Sequence, residues 1–244
     1  WRTDGVGAEI LQRIRFMRAA TQGRLPIQLP DMQGPLDLAN NLWGTEPLLL
    51  AMHSDPEAVH HLLGLMAQAF IAYVRLCHEA AEGTLVPIHC MPVVWMPRVR
   101  GVALSEDLLA VLSPRLYGAF GVPYNERIAA AFGGVVVHSC GSVEHNLALL
   151  AATRGLTGVS LSASETSLPA TVAAVGGRAT ILSHTAALTC GTLARLAPLE
   201  HVELCARAFG QPGVAGIILV TPLDMDRAQT LALCRDACAL IGRG

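Results

Sequence analysis

The chain has 244 residues, 52% of them hydrophobic and only 15% charged, so it can bury a large core and leaves little for disordered tails. A net charge of −2, with no basic run, offers no stripe to neutralise phosphates and sets nucleic acid aside as a partner. The best apolar runs, residues 135–137 and 214–220, fall far short of the roughly 20 residues a spanning helix needs, so no membrane segment is expected.

Seven cysteines scattered through the chain are an odd number and no disulfide framework, which points to a reducing, cytoplasmic setting. Trp1 opens in mid-pattern and no charged-then-apolar leader follows, so the chain is expected to be a fragment without a secretory signal. Aromatics are only 5%, and Ala, Val and Leu dominate, which suits a parallel sheet buried on both faces and ringed by helices.

In chain order, residues 8–21 carry Ile10, Leu11, Ile14 and Met17 at helical spacing, and Gly23 closes that helix. Residues 25–29 read as a short strand ending at Pro30-Asp31. Gln33-Gly34-Pro35-Leu36 turns the chain into a short helix, and a second follows Pro47. Asp55-Pro56-Glu57 combines an N-cap carboxylate, a proline at the first helical position and a first-turn acid, so a long helix starts there and runs to about Ala81. Residues 86–90 are the next strand. The stretch 91–101, with Pro92, Trp95, Pro97 and Gly101, reads as a loop of the kind that carries substrate contacts.

Ser105 is placed as the cap of a helix over 106–112, and Ser113-Pro114 starts another, bent near Gly121 and Pro123. From there strands at 134–138, 158–161, 179–183 and 216–221 alternate with helices at 143–153, 168–175, 199–209 and 224–241. Such alternation marks βαβ units and a parallel sheet. Six strands are counted where a closed (β/α)8 barrel needs eight, so the first two are expected to lie before Trp1 in a single barrel domain. An open doubly wound sheet fits the alternation almost as well. A barrel short of strands exposes edges, so an oligomer is possible.

In a parallel barrel, chemistry sits at the carboxyl ends of the strands. Those ends carry Asp31, His89-Cys90, His138-Ser139-Cys140-Gly141, Ser162 to Glu165, His184 and Thr221-Pro222. The sharpest signal is Val135-Val136-Val137-His138-Ser139-Cys140-Gly141-Ser142. Imidazole and thiolate are preferred zinc ligands, and three protein ligands with one open position make a catalytic site. Glu165 follows the next strand, where it reads equally as a third ligand or as an acid at a helix start. His184 and Cys190 are possible substitutes. Asp31 reads as a binding acid or a turn residue before Gly34. Cys205, Cys234 and Cys238 fall in helices and are expected to be small core residues, and His60 and His61 to lie on the surface.

Gln33-Gly34-Pro35-Leu36-Asp37-Leu38-Ala39, Asp55-Pro56-Glu57-Ala58-Val59-His60, Leu112-Ser113-Pro114-Arg115-Leu116-Tyr117, Pro123-Tyr124 and His138-Ser139-Cys140-Gly141 occur in that order. In this order and spacing the chain resembles the uroporphyrinogen decarboxylase superfamily, from about Ile27 to Pro222. The resemblance implies a TIM-type barrel. It is closer to the cobamide-dependent methyltransferase branch, where residues matching His138 and Cys140 bind zinc, joined in some states by a Glu that Glu165 would match. The late Cys that usually completes that zinc site is absent from residues 216–222.

The resemblance therefore implies zinc-assisted methyl transfer between a corrinoid-type donor, free or on a partner corrinoid protein, and a small-molecule thiol. Asp31 and His184 are candidate catalytic residues. The alternatives are decarboxylation of a porphyrinogen-like tetrapyrrole, with Asp31 or another acid against the pyrrole, or a barrel subunit that has lost its catalytic ligands.

Overall fold

The computed structural model describes residues 3–86, 101–185, 196–209, 217–219 and 226–241. Helix α1, Gly5–Thr21, buries Ala8, Leu11 and Ile14 at helical spacing. Strand β1, Ile27–Gln28, leads to α2, Pro35–Trp43, and α3, Thr45–Ser54. Asp55 then caps α4, Pro56–Ala81, accepting the Ala58 amide at 3.2 Å, with Pro56 at the first helical position.

By length and composition alone α4 could cross a membrane, a candidate that the short apolar runs of the sequence did not reveal. Its stripe of Val59, Leu63, Phe70, Val74 and Cys77 is instead buried, and the helix packs on α1, α2, α3 and α6.

Strand β2, Leu85–Val86, pairs in parallel with β1. Strand β3, Val102–Ser105, is a strand the sequence pattern did not predict. Its four residues are all buried, and the expected helix after Ser105 is only a 3-10 turn, Asp107–Ala110. Beyond it come α5, Pro114–Phe120, and α6, Val122–Phe132, separated by Gly121 as expected. Then β4, Val135–Ser139, alternates onward through α7, Leu147–Ala152, β5, Leu156–Ser162, α8, Leu168–Val175, and β6, Thr180–His184. Helix α9, Pro198–Phe209, strand β7, Ile217–Leu219, and helix α10, Arg227–Ile241, complete the described elements.

Strands β3 to β7 form one parallel sheet in sequence order, and an isolated parallel bridge from Gln33 to Ser105 ties the segment after β1 to β3. The protein is thus an α/β protein built on parallel sheets. Among the described residues there are seven strands where six were expected, the addition being β3, and their pairings do not close into a ring.

Strand periodicity gives the five-stranded sheet two unlike faces. Val102, Leu104, Val135, Val137, Val159, Leu161 and Ile181 join one large apolar cluster with the helices. On the other face Ala103, Val136 and Leu182 form a small cluster of their own. Toward the carboxyl end that second face turns polar: Ser105, His138 and Ser160 lie in register across β3, β4 and β5, and Ser162 pairs with His184. All five are buried.

Candidate metal centre

A tight turn places the key residues. Gly141 has φ 84°, in the left-handed region, and a Cβ there would meet that of Ala110 at 2.9 Å. Glycine therefore lets the chain reverse immediately after Cys140, as the sequence led us to expect. The reversal brings Cys140 Sγ to 3.5 Å from His138 Nε2. Both side chains are largely buried, at 8% and 5% exposure, yet they converge rather than diverge.

The third donor is Asp107. One atom each from Asp107, His138 and Cys140 lie within 4.8 Å of one another, and Asp107 is exposed while the other two are buried. The sequence reading missed this residue because Ser105 was taken as a helix cap, which put Asp107 inside a helix. Recognising the short run Val102-Ala103-Leu104 after Gly101 as a strand would have set Asp107 at a strand end, beside β4. Three hydrogen bonds hold it there. Its Oδ1 accepts the Cys140 amide at 2.7 Å, while Asp37 of α2 accepts the amides of Asp107 and Leu108 at 2.7 and 2.9 Å.

Glu165 lies beside the centre and outside the three-donor group. Its Oε2 accepts the Gly141 amide at 3.1 Å, so the carboxylate braces the turn that carries Cys140. Thr166 acts with it, accepting the Val143 amide at 3.0 Å and donating to the Gly141 carbonyl at 3.2 Å. His184, at the end of β6, stacks on His138 with ring centroids 5.7 Å apart and planes inclined by 24°. Asp31 is exposed in the segment after β1 and is not part of the donor group.

His89, Cys90, Trp95, Cys190, Thr221 and Pro222 lie outside the described residues. Cys205 is buried as expected, but Cys234 and Cys238 are exposed on α10, which overturns their reading as core residues. His60 and His61 are exposed, as expected.

Behind Asp107 lies a buried acidic pair. Burial, and then the charge of Asp37, pushes the Glu106 carboxyl up to about 8. Burial likewise raises Asp37 to about 6, against the lowering effect of the two amides it accepts. Glu106 accepts from Asn125 Nδ2 at 2.9 Å and from the Leu36 amide at 3.3 Å. Neither acid was singled out in the sequence: Glu106 sits on an irregular turn with no periodic signature, and Asp37 reads as an ordinary first-turn acid of α2. On the helical side of the sheet, burial and the neighbouring His184 hold His201 down to about 4, with its Nε2 2.7 Å from Ser183 Oγ.

The donor chemistry fits zinc, which takes imidazole nitrogen, thiolate sulfur and carboxylate oxygen. Tetrahedral zinc bonds to nitrogen and sulfur set those two atoms roughly 3.5 Å apart, matching the observed separation of 3.5 Å. Asp107 is the exposed member of the three, so a fourth, exchangeable ligand would reach an ion from its side.

No family model and no curated protein sequence matches the chain.

Proposed function

We propose that the chain is a metal-assisted methyltransferase in which Asp107, His138 and Cys140 hold a zinc ion and the acceptor is a thiol. The observation that carries this reading is the meeting of three ligand atoms of zinc-compatible chemistry within 4.8 Å at the carboxyl ends of parallel strands. Zinc bound there would take up the acceptor sulfur and lower its pKa, favouring the thiolate at neutral pH.

The remaining work falls to the chain. Asp107 replaces the late cysteine missing from residues 216–222, and its exposed position marks the side from which a thiol approaches. Glu165 and Thr166 keep the Cys140 turn in place, and the His184 ring restricts rotation of His138. Positioning of this kind supplies much of a transfer rate. The corrinoid-type donor enters through the resemblance alone, and no step is drawn from it. We take the sequential parallel strands, with helices on one face and the donors at one end, as part of a (β/α)8-type barrel.

Metal analysis tests the centre. Wild-type protein is expected to carry about one zinc per chain, and Asp107→Ala, His138→Ala and Cys140→Ala are each expected to lose it. Glu165→Gln keeps the ion, because that side chain braces the turn without joining the donors. Zinc content that ignores all three alanine substitutions sinks the proposal. Transfer of the methyl group from methylcobalamin to a simple alkyl thiol, abolished by the same three changes, tests the reaction itself.

A further inference from the structure

The face of the sheet away from the large apolar cluster mixes two kinds of residue. Ala103, Val136 and Leu182 are apolar, as a buried strand face requires. At the level of His138, however, the buried partner on β5 is Ser160, fully buried and directly in register. A hydroxyl buried this completely is costly unless it makes a hydrogen bond. Ser160 Oγ lies 3.1 Å from His138 Nδ1, the ring nitrogen opposite the one facing Cys140.

An imidazole can ligate a metal through Nε2 only if Nδ1 carries the proton. With Ser160 Oγ accepting from Nδ1–H, the Nε2 lone pair points at the sulfur and is available to an ion. If Ser160 instead donates to Nδ1, the proton sits on Nε2 and points at Cys140, which suits the metal-free dyad. A serine hydroxyl can do either without moving the ring.

We infer that Ser160 is a positioning residue for the metal centre, holding His138 in the orientation and tautomer that ligate through Nε2. The inference rests on the metal-centre reading above. Ser160 does not touch the ion or the thiol, and acts only through the imidazole. The stacked His184 ring limits tilt of the imidazole.

The test compares wild type, Ser160→Ala and Ser160→Thr by zinc affinity in competition with a chromophoric chelator, and by the absorption spectrum after loading with cobalt(II). Ser160→Ala is expected to weaken zinc binding roughly 10- to 100-fold, the usual cost of losing such a partner. It is also expected to alter the cobalt ligand-field bands while the sulfur-to-cobalt band persists. Ser160→Thr, which keeps the hydroxyl, is expected to restore both. Wild-type affinity in Ser160→Ala overturns the role of Ser160 and leaves the centre standing. A loss that Ser160→Thr does not repair assigns the effect to packing and overturns it equally. Wild-type protein that binds no zinc overturns the centre itself, and this inference with it.

Discussion

Burial of charge at single residues sets how stability should respond to pH. Glu106, raised to about 8, holds its proton more tightly folded than unfolded, so its full contribution is present below about 4.5 and is lost as the pH climbs toward 8. Asp37 behaves likewise over a lower window, up to about 6. His201 acts in the opposite sense: held down to about 4 against an ordinary 6.5, it costs stability as the pH falls through that interval. The effects oppose one another in mild acid. Between about 6.5 and 8 Glu106 alone of the three still titrates, and stability should fall there by up to roughly 1.4 kcal/mol per pH unit. Glu106→Gln keeps an acceptor for the Leu36 amide and removes the titration. Urea unfolding at the two ends of that window should show a slope in wild type and little in the variant; equal slopes would exclude Glu106 as the source.

At the scale of elements, chemistry written into the first turn was read directly from the sequence. Asp55-Pro56 and Ser113-Pro114 mark helix starts, and both side chains accept an amide three residues on, Asp55 from Ala58 and Ser113 from Leu116. Asp55→Ala should cost about 1 kcal/mol in denaturant unfolding, while Asp55→Asn should keep most of it. Strand β3 was hidden because three apolar residues are too few to show a period, and because Ser105 and two acids imitate a helix start. What makes it a strand is tertiary: Gly101, with φ 89°, approaches Gly134 so closely that a Cβ would collide with that carbonyl, and Val102 to Ser105 then pair with β4. Missing β3 also meant missing Asp107. His138 and Cys140 were legible because their spacing is local, whereas the third donor depends on which strand lies beside β4.

For the molecule as a whole, the two sheet faces divide stability from chemistry. Leu104 is fully buried in the large cluster shared by strands and helices, and Leu104→Ala should cost roughly 2–5 kcal/mol in urea unfolding. Leu42, 68% exposed on α2, should tolerate alanine within about 0.5 kcal/mol. A comparable loss at both positions would mean that the cluster is not the core. The alternation of strands and helices was visible from Gly134 onward because each strand is a short, largely apolar run in the sequence. The order of pairing, and the longer-range bridge from Gln33 to Ser105, depend on contacts between distant residues that no local pattern encodes.

The clasp of Asp37 on the Asp107 and Leu108 amides has a wider effect. It ties the seat of one proposed metal donor to the helices at the front of the chain, so an ion bound as proposed and the docking of those helices would reinforce each other. By mass action the ion would stabilise that front portion in step with its own occupancy. Stripping it with a chelator would unfasten scaffold as well as chemistry, making zinc content a gauge of how firmly the two parts of the protein are joined.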